Sequence, residues 1–385
     1  MAAPSPLAAT PELCSLLLLL ISSAIVYSGA HAALHRPQNA LPADNDDEDS
    51  ISEMLSLRDA YWFPFASGAV LTFLYVLLSL VDKEMLNLIL TLYFCLLGLP
   101  MLSTTLADSF GLLLSSPPRK IALSTRGNPS RSLAALLQFK FNERHLFTMP
   151  LAFALCLAYF YSKHWLLSDI LAIGIAYSAF SLMKLSDFKT GVVLLSGLFF
   201  YDIFFVFGSP IMLAVATGLD IPIKLSWPKS SGDYGILGLG DIVLPGIFVA
   251  LSLRFDAFLY HSRHPKLSFN KSAFPKSYFI TCFTAYIAGL TVTVLVMHFF
   301  KSAQPALLYL SPSCIISVSF LAWYRGDIKA MFAYSEDNND SRKLTKASTN
   351  KAADAKIPET PRRVLRSMKS LDLVDGIGHS EWVQK

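Results

Sequence analysis

Long apolar runs separated by short charged or turn-forming breaks fill most of the first 324 residues. They predict nine helices, near 13–32, 61–81, 85–110, 147–162, 165–183, 191–214, 235–253, 278–300 and 303–324. Runs of about 18 or more such residues are long enough to cross a bilayer core of roughly 30 Å. Three of the breaks, Asp82-Lys83-Glu84, Lys163-His164 and Lys301-Ser302, can only reverse the chain, so the helices on either side of each are expected to be antiparallel neighbours. Beyond about residue 325 the pattern changes: the remaining segment holds 12 of the 32 Lys and Arg residues and few large apolar ones. It reads as a soluble, largely disordered tail. The organisation predicted is an all-α membrane protein with about five spans over 1–184, a second transmembrane region over 185–324 and a tail over 325–385.

Composition supports the membrane reading. Charged residues are 16% of the 385, against roughly 25% in soluble chains. Residues 13–34 carry no Asp, Glu, Lys or Arg, and residues 190–219 carry only Asp202. Sorted onto alternate loops, the 32 basic residues divide 27 to 5, with the tail on the richer side. By the positive-inside rule the N-terminus is lumenal or extracellular and the tail cytosolic. The run before Ala30-His31-Ala32 resembles a cleavable leader, but cleavage there would send the basic segment from Arg119 to Arg144 to the wrong side. The first span is therefore read as retained. The five cysteines all fall in predicted spans with no C-x-x-C pair and read as small apolar packing residues. Asp44 to Asp49, with five acids in six positions, reads as a solvated loop.

Four acids fall inside the predicted spans. Asp108 and Asp169 lie near helix ends, where a carboxylate can reach the interface, and are read as structural. Asp202 and Asp241 lie deeper, about 16 Å and about 9 Å into consecutive spans at 1.5 Å per residue. A charge in hydrocarbon is costly, so acids placed there are functional candidates. Consecutive spans run antiparallel, so the two carboxyls can meet. Neighbouring carboxyls in a poorly solvated site hold one proton between them, the arrangement by which an aspartic protease activates water and polarises a carbonyl.

The flanking residues suit that chemistry. Tyr201 offers a hydroxyl beside Asp202. Gly238 and Gly240 bracket Leu239 just before Asp241, where missing side chains admit either a substrate backbone or a packed helix. Pro210 and Pro245 can leave carbonyls unpaired. Gln304-Pro305-Ala306-Leu307 opens the last span. A Pro there either starts the helix or leaves non-helical backbone free to pair with an extended substrate, and spacing alone does not choose.

Taken together, Tyr201-Asp202, Gly238-Leu239-Gly240-Asp241 and Gln304-Pro305-Ala306-Leu307 resemble the YD, GxGD and QPAL signatures of the signal peptide peptidase family, relatives of presenilin. The likeness extends through Leu237–Asp256 and Gln304–Leu310, is strong over about 185–330, and weakens towards the N-terminus, where Ala60–Leu106 is similar to the family's second and third spans. The resemblance implies a nine-span intramembrane aspartyl protease of the endoplasmic reticulum with a lumenal N-terminus and a cytosolic C-terminus. By motif position it implies Asp202 and Asp241 as the catalytic pair, with Tyr201, Gly238 and Gly240 shaping the site. Gln304, Pro305, Ala306 and Leu307 would support it and engage substrate. It implies no cofactor and no metal. The partners implied are the lipid bilayer and membrane-helix substrates such as signal-peptide remnants and type II membrane proteins, with no nucleic acid. It also leaves room for a homo-oligomer or for association with degradation machinery of the endoplasmic reticulum. The final residues Glu381–Lys385 lack a dilysine retrieval signal, so that location rests on the resemblance.

The alternative from a different class is a transporter or channel that binds protons or cations at two intramembrane carboxylates. Other protease chemistries lack their residues. No H-E-x-x-H is present, His261-Ser262-Arg263-His264 has the wrong spacing and is placed in a basic loop, and neither G-x-S-G nor D-T-G/D-S-G occurs. The sequons at Asn270 and Asn339 fall on the cytosolic side of the derived topology and should stay unmodified. The tail motif Arg362–Ser367 reads as a solvated basic stretch.

Overall fold

The structure, a computed structural model, describes residues 10–34, 53–114, 143–209, 211–219, 221–230, 233–264, 274–300 and 304–336. Arg119–Lys140, Asp44–Asp49, Pro210, Asn270 and the tail from 337 lie outside the described residues. In chain order the elements are α1 (Pro11–Ala32), β1 (Glu53–Leu55), α2 (Leu57–Leu80), α3 (Lys83–Leu114), α4 (Glu143–Ser162), α5 (Trp165–Leu182), β2 (Met183–Leu185) and α6 (Phe188–Phe207). They continue with α7 (Ile211–Gly218), β3 (Lys224–Pro228), β4 (Tyr234–Gly238), α8 (Leu239–Arg263), α9 (Ser277–Phe300), α10 (Leu307–Arg325) and α11 (Ile328–Ala333).

Eight of the described helices are long and apolar enough to cross a membrane, and the apolar part of α4, Phe147–Ser162, is a shorter ninth. The ends are set by local chemistry. A capping box closes the start of α2, with Asp59 N–H donating to Ser56 Oγ and Ser56 N–H to Asp59 Oδ2. Asp187 accepts from Thr190 N–H at 2.6 Å to start α6. Gly326, at φ 73°, ends α10 in the left-handed region that favours glycine.

Three expectations about the spans change. The span placed at 191–214 is two helices, α6 and the short α7. The span placed at 235–253 starts as strand: β3 and β4 form an antiparallel hairpin with Lys224 opposite Gly238 and Pro228 opposite Tyr234, and α8 follows directly at Leu239 and runs on to Arg263. The β-rich run Tyr234-Gly235-Ile236-Leu237 finds a partner strand, and the main-chain bonds continue past it, with Leu239 N–H donating to Ile223 O at 3.0 Å. An apolar run is ambiguous between strand and helix until its partner is known. Third, His261 is on the last turns of α8 and buried, because the helix outlasts its predicted end.

α8 is the central element: 78% of its apolar stretch is buried, against 6% for α2. It packs against α1, α5, α6, α9 and α10. Phe180 of α5 is wedged between Gly29 of α1 and Gly246 of α8, where an added Cβ would lie 2.5 Å from its ring in either case. Small residues allow such close approach, which matters because lipid supplies no hydrophobic drive between helices. A second cluster joins α3, α4 and α5 around Leu102, Ala152, Cys156 and Leu171. All five cysteines are buried and free.

Cross-links show which helix ends lie together. Lys276 Nζ donates to His31 Nε2 at 3.0 Å, joining the end of α1 to the start of α9. β1 pairs in parallel with β2, joining the start of α2 to the junction of α5 and α6. Asp256 of α8 accepts from the first turn of α9. At the opposite end, Cys14 of α1 donates to Trp227 O, and Asp169 of α5 accepts from Ser226 N–H and Oγ at 2.9 and 3.3 Å, anchoring the hairpin. Asp169 thus has the structural place expected of it. So does Asp108, which accepts from the Tyr177 hydroxyl at 3.2 Å.

The segment set apart from the sequence as a tail starts as ordered chain. α11 and residues 334–336 pack on the helical body, with Met331, Tyr334 and Glu336 buried. Their apolar and ionic partners lie on α6 and α8, distant in sequence.

Candidate active site

The site is formed where α6, α8 and α10 converge on the side of the hairpin. Asp202 is the fifteenth residue of α6 and is only 2% exposed. Its Oδ2 accepts a hydrogen bond from Leu307 N–H at 3.1 Å. That donor is the first residue of α10, whose cap residue Ala306 has no side-chain bond to offer. The first turn of any helix leaves N–H groups without intrahelical acceptors and carries about half a positive charge. One such orphan donor is therefore satisfied by a carboxylate reached across 105 residues of sequence.

Gln304, Pro305 and Ala306 are not helical. Pro305 precedes the cap rather than occupying the first helical position, so of the two readings of this motif the structure supports non-helical backbone leading into a helix start. Pro305 and Ala306 are buried beneath it, and Gln304 is partly exposed.

Asp241 is the third residue of α8, in its first turn, not well inside a span as the sequence reading placed it. It is partly exposed where Asp202 is buried. Asp202 lies within electrostatic reach of Asp241, and both lie within reach of Tyr201. The Tyr201 ring lies against Phe205, with centroids 4.7 Å apart. Tyr286 of α9, which sequence reading missed, is fully buried and lies within electrostatic reach of Asp241. One more Tyr on an apolar helix carried no signal in the sequence.

The two glycines differ from the helix-packing alternative. Gly238 is the last residue of β4 and the cap of α8, with extended backbone at φ −67° and ψ 142°; a Cβ there would lie 3.4 Å from Asp241 Oδ2. Gly240 is exposed, and an added Cβ would meet only Leu244 of its own helix, at 4.0 Å. The packing glycine of α8 is Gly246. Gly238 and Gly240 instead leave room beside a carboxylate. Pro245 is buried within α8, which continues through it.

The structure thus gathers every sequence-predicted site residue around one locus: Asp202 and Tyr201 from α6, Gly238, Gly240 and Asp241 from the strand-to-helix junction, and Gln304–Leu307 from the start of α10. Two carboxyls within electrostatic reach, one steadied by a backbone N–H and one beside the open space at Gly240, can share a proton. Among the described residues no group of three or more His, Cys, Asp and Glu is arranged to hold a metal ion.

Comparison with known proteins places these features in a wider set. The family model described as signal peptide peptidase matches residues 46–338. The human signal peptide peptidase is 34% identical over 330 residues, covering 82% of this chain and 84% of that protein. The mouse protein of the same name is 33% identical over 356 residues, covering 88% and 89%. A solved structure of a presenilin family intramembrane aspartate protease aligns with a TM-score of 0.41 at 16% identity, over 82% of this chain and 98% of that one.

Proposed function

Because the chain belongs to the signal peptide peptidase family, a family of intramembrane aspartic proteases, we propose that Asp202 and Asp241 are its catalytic pair and that it hydrolyses peptide bonds within membrane-spanning helices. The observation that carries this reading is the convergence of the two acids from α6 and α8, with Leu307 N–H on Asp202.

The positive end of α10 favours charge on Asp202, which casts it as the base and Asp241 as the protonated partner. Asp202 takes a proton from water as the water oxygen attacks the scissile carbonyl carbon. Asp241 gives its proton to the carbonyl oxygen, producing a gem-diol. Asp202 then passes its proton to the amide nitrogen, the C–N bond breaks, and a gem-diol hydroxyl returns a proton to Asp241. An acid and an amine leave, and the pair again holds one proton. Gly240 and the room beside it give the substrate backbone access to Asp241. A helical amide is shielded by its own hydrogen bond, so the substrate must unwind, and helix-weakening residues near the cut should favour cleavage.

Signal-peptide remnants and type II membrane helices are the substrates this reading favours. The 27-to-5 partition of basic residues supports a lumenal N-terminus and a cytosolic C-terminus, and the family likeness alone supports residence in the endoplasmic reticulum. Glycan attached at Asn270 or Asn339 in cells would overturn that orientation. The activity itself is tested by cleavage of a labelled membrane-helix substrate by the purified full chain. Wild type should cut it, and Asp202→Ala and Asp241→Ala should each lose at least 1,000-fold, roughly 4 kcal/mol of barrier. Wild-type cleavage by either variant would refute the assignment.

A further inference from the structure

α6 and α8, which carry the two acids, pack only lightly on each other; α6 leans chiefly on α2 and α10. Their relative position is therefore set by other parts of the chain. One of these is residues 304–336, which meet α6 at their start and both α6 and α8 at their finish. The segment begins with Leu307 N–H on Asp202. It finishes at Tyr334–Glu336, on the far side of the bundle. There Ser335 forms an antiparallel bridge with Asp187, the cap of α6, and Glu336 N–H donates to Ser186 O at 2.7 Å. The Glu336 carboxylate pairs with Arg254 Nε of α8, both side chains being almost fully buried. The Tyr334 hydroxyl donates to the same Glu336 oxygen at 2.8 Å. The Tyr334 ring fits among Phe188 of α6 and Phe255 and Phe258 of α8, with centroids 6.2, 5.4 and 5.0 Å away.

We propose that Tyr334–Glu336 is a strap that clamps the start of α6 to α8 through Arg254 and thereby holds Asp202 and Asp241 at their working separation, making Arg254, Tyr334 and Glu336 positioning residues of the protease. The proposal rests on the assignment of the two acids made above. Separating the partners of a buried ion pair leaves an uncompensated charge, so the pair resists any displacement that parts Arg254 from Glu336. Misplacement by about an ångström at a catalytic pair costs on the order of 100-fold in rate, so a clamp remote from the acids can still govern turnover.

The test uses the purified full chain, a labelled membrane-helix substrate, and active-site titration with a hydroxyl-bearing peptide analogue of the gem-diol. Titration removes the contribution of unfolded protein, which is all that a purely structural role would change. Glu336→Gln is expected to lower kcat per titrated site at least tenfold with KM within twofold. Tyr334→Phe, which deletes one oxygen and folds more readily, should lower it two- to fivefold. The exchange Arg254→Glu with Glu336→Arg should regain part of what either single change loses. Wild-type kcat per titrated site in Tyr334→Phe and Glu336→Gln would overturn the strap; should Glu336→Gln fail to fold, Tyr334→Phe alone decides. If Asp202→Ala turns over normally in the same assay, the acid assignment fails instead, so the two failures are separable.

Discussion

Asp202 and Asp256 sit towards opposite ends of the helical body, and each is set against the N-terminus of a neighbouring helix. Asp256 accepts from Tyr278 N–H with Oδ1 at 3.1 Å and from Phe279 N–H with Oδ2 at 2.8 Å, and Arg325 acts on it electrostatically. Both of its oxygens are engaged, and its neighbour is a cation. Asp202 accepts one backbone N–H on Oδ2, and the charged neighbour acting beside it is another carboxyl. Exposure does not separate the two, at 2% and 5%, nor does it separate them from Asp169 at 7%. A buried acid in a membrane helix is thus not in itself evidence of chemistry. The distinguishing property is what the carboxyl is set against: Asp256 has both oxygens on helix-cap N–H groups and a cation nearby, and Asp169 is bonded to the hairpin, whereas Asp202 has one bonded oxygen and a second carboxyl beside it.

This contrast is open to direct challenge. The largest effect should come from Asp202→Asn beside Asp256→Asn. The first keeps an oxygen for Leu307 N–H yet should abolish cleavage, by 1,000-fold or more. The second should leave kcat per folded molecule within about threefold. A dead Asp256→Asn enzyme with unchanged thermal stability would break the distinction. Next, Asp256→Ala orphans two buried N–H groups and should destabilise the fold by about 3 kcal/mol, read as a fall in the thermal midpoint in detergent, whereas Asp202→Ala should cost less.

Smaller again is a comparison of glycines on one helix. Gly240→Ala projects into open space and favours helix, so stability should hold within about 1 kcal/mol while kcat/KM falls roughly tenfold. Gly246→Ala meets the Phe180 ring and should destabilise by about 1–3 kcal/mol with little change in kcat per folded molecule. Equal behaviour of the two would mean that the space at Gly240 is not used by substrate. The smallest effect is expected from Asp169→Asn, which retains an acceptor for Ser226. It should lower stability by about 1 kcal/mol, and wild-type activity per folded molecule would place Asp169 with Asp256 rather than with Asp202.

The helices were legible because their signal is local and strong, down to the breaks at Asp82-Lys83-Glu84 and Lys163-His164. The hairpin was not, since Tyr234–Gly238 is as apolar as a span and turns to strand only because Lys224–Pro228 lies beside it. That misreading placed Asp241 about 9 Å into a helix when it stands in the first turn. Stopping the same span at 253 also hid Asp256, three residues past the expected end. Arg254 and Glu336 fell outside the predicted spans, in a loop and the tail; they are buried together as an ion pair.

The sequence by itself determined that the chain fills a membrane with antiparallel helices, and it marked Asp202 and Asp241 as acids placed where lipid tolerates few. Both facts follow from the composition of continuous segments, because in hydrocarbon a helix must satisfy its own backbone and a charge must find a reason to be there. Only the tertiary structure decided that Leu307 N–H meets Asp202, that Gly240 opens onto space while Gly246 packs, and that Asp256 is spent on a helix cap. Those outcomes depend on partners up to 105 residues away, and whether a buried polar group is satisfied is a property of the assembled neighbourhood and not of the segment that carries it.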